Sequence, residues 1–147
     1  MSFEEIRVIT VVYTAVLLPL IIYWKYKSRL PKWIPSFYII SLVVCSLGWE
    51  LWFTYGWLDG DPVDLRRSEN LNKWLPKDIN WLLNSMGDAG AILLGGTWLM
   101  WITHKKNLMI FKKWNWTAFI VLYIWCVSQN IFVEMFLYHD QLAEGKL

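Results

Sequence analysis

IPSFYIISLVVCSLGWELWFTYGWL, residues 34–58, decides how this chain folds. The run carries one charged residue, Glu50, and shows no alternation of apolar and polar positions. Its length matches the ~20 residues that a helix needs to cross a hydrocarbon core of ~30 Å. Backbone polar groups in lipid must be satisfied internally, so a run of this kind is a membrane helix. A carboxyl inside such a helix costs ~2.5–3.5 kcal/mol on insertion scales, and marks a functional hypothesis by default.

Three further runs of similar character flank this one. They span residues 6–24, 79–103 and 116–138. Short connectors separate the first pair and the last pair, and a polar segment, 59–78, joins the halves. The expected fold is all-α: one four-transmembrane-helix antiparallel bundle occupying residues 1–147. Pro19 is expected to kink the first helix, because it removes a backbone donor and crowds the preceding turn. The composition agrees, since the 147 residues are 56% hydrophobic, with 12 Trp and a mean hydropathy of +0.34. Tryptophan favours the membrane–water boundary, where its ring is half buried and its N–H stays wet. The acidic opening MSFEEIR lacks the marks of a cleaved signal peptide, so the first run is read as a retained helix. Cys45 and Cys126 fall mid-span in different helices and read as small hydrophobes rather than as a disulfide or metal pair.

Charge placement sets the expected topology. Lys25, Lys27, Arg29 and Lys32 crowd the first connector, and Lys105, Lys106, Lys112 and Lys113 the third, with no acid in either. The middle segment mixes acids and bases. The positive-inside rule then puts the basic connectors in the cytoplasm and both termini outside, in a membrane of the bacterial inner type. Trp24, Trp33, Trp114 and Trp116 would form one aromatic belt, and Trp57, Trp74 and Trp81 the other. Trp98 and Trp101 read as further anchors on the cytoplasmic side.

Three acids, Glu50, Asp88 and Glu134, interrupt the apolar spans. At ~1.5 Å per helical residue, Glu50, Asp88 and Asn130 lie ~12–13 Å below the outer surface and Tyr13 ~10 Å below it. Glu134 is shallower. In the third helix Asn80, Asn84 and Asp88 follow i, i+4, i+8 spacing and share a stripe, while Gly87, Ala91 and Gly95 repeat the small-xxx-small pattern of close helix approach. Polar stripes avoid lipid, so the expectation is an outer-half pocket with Glu50 and Asp88 at its base. Tyr13, Asn84, Asn130 and Glu134 add polar groups, and Trp49, Trp52 and Trp125 add aromatic walls. The alternative is a purely structural polar core that holds helix register.

An apolar setting penalises the charged form of a carboxyl, and two neighbouring carboxyls divide into an acid and a base. Glu50 and Asp88 would form such a donor–acceptor pair, with Trp faces shielding a developing cation. That suits isomerisation, cyclisation or epoxide opening on a lipophilic, isoprenoid-like molecule, without a cofactor. The segment Gly48-Trp49-Glu50-Leu51-Trp52-Phe53-Thr54-Tyr55 resembles the "WE…Y" helix of the small integral-membrane terpene cyclases of meroterpenoid pathways. The resemblance implies a buried Glu and Asp that protonate an epoxide or alkene. Trp49 and Glu50 carry over by motif and Asp88 by role only. That family has more helices than the four read here, so a homo-oligomer would be needed to complete a site.

A competing expectation is a non-catalytic accessory subunit of a respiratory, monooxygenase or photosynthetic complex, packing against partner helices, lipids or pigments. His104 and His139 are then the candidate axial ligands, although histidines at helix ends more commonly cap the dipole. A proton-coupled carrier ranks below both, for want of a polar stripe on the cytoplasmic side. The segment 59–64 has a calcium-loop flavour but lacks the later bidentate Glu. Arg66 and Arg67 read as a solvated surface. Phosphate-loop, dinucleotide and nucleophile-elbow motifs are missing, as is any nucleic-acid patch beyond the topological lysines.

Overall fold

The computed structural model describes residues 1–57, 60–133 and 135, all of them in helices, turns and connectors, with no strand among them. Helix α1 is Phe3–Tyr26 and ends in a 3-10 turn, Lys27–Arg29. A capping box starts it: the Ser2 hydroxyl accepts from the Glu5 N–H, and the Glu5 carboxylate accepts from the Ser2 N–H at 2.7 Å. The helix remains continuous through Pro19. The chain breaks elsewhere, at Gly48, which divides the 34–58 run into α2, Ile34–Leu47, and α3, Trp49–Tyr55, bent by 42°. A Cβ at Gly48 would sit 2.8 Å from the Val44 carbonyl oxygen, so the bend depends on glycine. Next to the break, the Trp81 indole donates to the Ser46 carbonyl at 2.8 Å. Such insertion of a side chain into the hydrogen-bond ladder accompanies sharp bends.

Segment 59–78 was expected to be a polar loop, and its described part is instead a folded cap. It contains α4, Val63–Arg66, and α5, Glu69–Trp74. Val63, Leu71 and Leu75 are buried, and the two leucines pack on Val8 and Val12 of α1. Arg67 donates to Asn72 Oδ1 at 2.6 Å, to Asn80 Oδ1 at 3.0 Å and to the Leu75 carbonyl. Arg66 donates to the Phe53 carbonyl and lies over the Phe53 ring. Burial holds its guanidinium below the usual arginine range. Neither arginine is a solvated surface group, because each is half-buried and donates to a backbone carbonyl near the end of a helix, Phe53 for Arg66 and Leu75 for Arg67.

The third segment is helical from Lys77 to Thr103: α6, Lys77–Ala89; a π turn, Gly90–Gly95; and α7, Gly96–Thr103. It is the centre of the molecule. Helix α6 packs against α1, α2 and α3, and α7 packs against the last helix, α8, Trp116–Val133. The π turn touches α1, α2, α7 and α8, where its glycines allow close approach. At Gly96 an added Cβ would meet Leu122 Cδ1 at 2.5 Å. A main cluster of buried residues at the basic end contains Leu30, Ile34, Tyr38, Leu94, Trp101 and Ile110. Trp101 is therefore a core residue, not an interfacial anchor. The belt residues Trp24, Trp33, Trp114, Trp116, Trp57 and Trp74 are exposed.

Among the described residues two helices, α1 with its 3-10 turn and α8, are long and apolar enough to cross a membrane, and α2–α3 is a third if the bent pair counts as one span. The 77–103 helix carries Asp78, Asn80, Asn84 and Asp88 and is not among them. Only Ala118 of the 18 residues in α8 is buried.

Candidate functional site

A partly open crevice of about 50 Å³ lies between α1, the third helix and α8. Helix α1 contributes Val8, Val11, Val12 and Ala15; the third helix contributes Leu83, Asn84, Gly87, Asp88 and Ala91; α8 contributes Gln129 and Val133. The i, i+4 spacing of Asn84 and Asp88 places both on one face of α6. Below them, Gly87 holds α1 and α6 close, since a Cβ there would already touch the Ala15 methyl at 3.4 Å. The Trp125 indole donates to the Ala91 carbonyl at 2.7 Å and pins α8 at the lower edge.

Asn84 is only 5% exposed, and its Nδ2 has no hydrogen-bond partner. A buried amide donor left unpaired costs ~1–3 kcal/mol, so a native structure keeps one only for a reason. Asn80, one turn above, is held through its oxygen by Arg67. Asp88 is half-buried on the crevice wall. Apart from Gln129, the wall is otherwise aliphatic among the described residues, with no aromatic ring among them.

Glu50 is not part of this lining. It is 2% exposed and accepts from the Thr54 hydroxyl at 3.2 Å, beside the Gly48 break. Glu50 and Asp88 each lie within electrostatic reach of the Cys45 thiol. Glu50 is sealed in protein, whereas Asp88 borders open space.

The remaining expected site residues are scattered. Tyr13 donates to the Trp74 carbonyl at 3.1 Å and ties α1 to the cap. Trp49 and Trp52 are exposed and pack on each other with centroids 4.7 Å apart. Asn130 is exposed. The inward polar position on α8 belongs to Gln129, one residue and ~100° of helix rotation away. The spacing Ala118–Leu122–Trp125–Gln129 carries that signal, and it was legible once Trp125 was known to face inward. Glu134 and His139 lie outside the described residues.

Both His104 ring nitrogens are engaged, by the Met100 carbonyl at 2.8 Å and the Thr117 hydroxyl at 3.1 Å, an arrangement that caps α7 and ties it to α8. Asp64 pairs with Lys77 at 3.6 Å. Among the described residues no group of three or more His, Cys, Asp or Glu is placed to hold a metal ion. Cys45 and Cys126 are free, half-buried thiols. No protein-family model, curated protein or solved structure matches this chain.

Proposed function

We propose that this protein is an integral-membrane acid–base enzyme that transfers a proton to or from carbon on a lipophilic, isoprenoid-like molecule held in the α1–α6–α8 crevice. In this reading the four helical segments cross the membrane in alternating directions. The basic connectors face the cytoplasm, and the cap and the crevice lie in the outer half. Asp88 is the reacting carboxyl: it takes a proton from one carbon and returns one, exchanged with solvent, to another. Asn84 and Gln129 orient the bound molecule. Glu50 is a neighbour that does not touch it. The observation that carries the reading is the meeting of Asp88, Asn84 and Gln129 on one otherwise aliphatic crevice. The described lining residues carry aliphatic and amide side chains and one carboxyl, which suits isomerisation better than cation cyclisation, a reaction helped by a π face on the cation.

The test is incubation of proteoliposomes with a lipid extract in deuterated water, followed by mass spectrometry. Wild-type protein is expected to place deuterium on carbon of a lipophilic compound. Asp88→Asn should reduce incorporation by about 10²–10⁴-fold, the range of general acid–base catalysis. Glu50→Gln should retain it within about tenfold, being outside the lining. No incorporation by wild type, or equal incorporation by Asp88→Asn, sinks the proposal.

A second reading, an accessory subunit, is supported by α8, which is nearly unburied and exposes Asn130 within an apolar helix. Polar side chains in such helices find partners across helix interfaces. Here Asn130→Leu should release the chain from a larger complex, read by native gel electrophoresis of solubilised membranes, and Asp88→Asn should be silent.

A further inference from the structure

We propose that a second cavity, at the basic end of the molecule, binds an anionic glycerophospholipid; this goes beyond the crevice chemistry and needs only that the chain lies in a bilayer. The cavity measures about 300 Å³ and opens between Met100 of α7, the 3-10 turn Leu108–Phe111 and the start of α8. That volume reaches the lower bound of ~300–1,000 Å³ for ligand clefts. Its lining changes character along α8. Lys112, Lys113 and Asn115 stand before the helix begins, whereas Phe119 and Leu122 line it from within the helix. Leu122 lies ~10 Å beyond Asn115, at 1.5 Å per helical residue.

The two lysines are distinguished by what they lack. Both are exposed, and among the described residues neither side chain has an ion pair, a hydrogen bond or a ring beneath it. Neighbouring cations at this end are already engaged: Lys27 Nζ sits 3.3 Å from the Trp24 ring centroid, Lys25 5.6 Å from that of Tyr26, and Lys106 5.9 Å from that of Trp101. Asn115 adds a donor of settled identity. Its Oδ1 accepts from the Ala118 backbone N–H at 2.9 Å, so Nδ2 is the N–H₂ end, and it has no partner among the described residues. Residues 6–49 and 89–133 contain no Asp or Glu, so an anion here meets attraction without a nearby carboxylate in sequence to oppose it.

A phospholipid matches this order of groups. Its phosphate faces Lys112, Lys113 and Asn115, and one acyl chain follows Phe119 and Leu122 along α8. Trp114 also lines the cavity; it is 67% exposed, and its ring contacts those of Trp116 and Phe119 at 5.1 and 5.3 Å. An indole so placed suits the glycerol level, half apolar and half wet. A soluble anion would leave the apolar part of the cavity uncovered. A zwitterionic lipid would bring its own cation to the lysines.

The test titrates the purified protein in detergent with phosphatidylglycerol or phosphatidylcholine of equal chains, read by native mass spectrometry. One phosphatidylglycerol should bind at least about tenfold tighter than phosphatidylcholine. Lys112→Gln with Lys113→Gln should weaken it by about 30-fold, from ~1 kcal/mol for each juxtamembrane lysine. Lys27→Gln with Arg29→Gln removes the same charge from the other connector and should change it by less than about threefold. All four positions are exposed, so the fold is expected to survive, checked by the thermal midpoint. Glycerophosphoglycerol, the soluble headgroup, should fail to displace the lipid even in large excess. Equal binding of the two lipids, an equal or larger loss in the Lys27 and Arg29 variant, or full displacement by the soluble headgroup would overturn the proposal. Binding is read without turnover, so the result stands apart from deuterium transfer at Asp88.

Discussion

Arg67 shows how one residue can organise a region that its sequence neighbours describe poorly. Its guanidinium joins Asn72, Leu75 and Asn80, and so ties the cap to the head of α6. The flanking acids and bases look like an ordinary solvated loop, because a half-buried arginine is spelled the same as an exposed one. Hydrogen bonds to charged donors are worth ~1.5–3 kcal/mol each, and an unpaired Asn80 oxygen would add its own desolvation cost. Arg67→Met is therefore expected to destabilise the protein by about 2–4 kcal/mol, read from thermal unfolding in detergent. A midpoint unchanged within error would show the cap to be independent of the bundle. The same limit explains the site. Asp88 was legible as an ionisable group in an apolar run, whereas the burial of Glu50 outside the crevice that Asp88 lines was not, since depth along a helix says nothing about which void a carboxyl borders.

At the scale of elements, the decisive feature is the bend between α2 and α3. It turns Glu50 inward at the start of α3 and brings the Trp81 indole to the Ser46 carbonyl. Gly48 has φ −100° and ψ −109°, outside the regular helix, and a methyl there would press on the Val44 carbonyl. Gly48→Ala should therefore cost about 1–3 kcal/mol, the range for a strained backbone position, and should expose Cys45 to thiol reagents. Faster Cys45 labelling with a lowered thermal midpoint is the expected outcome, while a more stable variant would mean that the chain prefers one straight helix. Pro19 was expected to kink α1, which runs through it as one helix. Its ring packs against Gly90, where an added Cβ would sit 3.6 Å from Pro19 Cβ.

For the whole molecule, the basic connectors form one end and the cap the other. Both connectors are folded rather than trailing. Leu30 and Ile110 enter the main core, and His104 joins α7 to α8. In the proposed topology single cysteines at Ser28 and Asn107, in a background lacking Cys45 and Cys126, should react with an impermeant maleimide only from the cytoplasmic side. One at Asn70, exposed on the cap, should react only from the outside. Labelling of Ser28 and Asn70 positions from the same face would overturn the membrane arrangement. The exposed apolar surface of α8 agrees with lipid contact, because its rings and aliphatic chains have few protein neighbours.

Amino-acid order alone determined the helical class, the lengths of the apolar runs, the polarity of the connectors and the presence of carboxyls within those runs. These follow from composition and from a repeat of 3.6 residues per turn, which every helix shares. Tertiary packing alone decided the rotation of each helix about its axis. Close contact of Gly95 and Gly96 with Trp125 and Leu122 turns α8 so that Gln129, not Asn130, meets Asp88 across the crevice. Periodicity sets which residues travel together on a face, but only a neighbouring surface selects the face that turns inward.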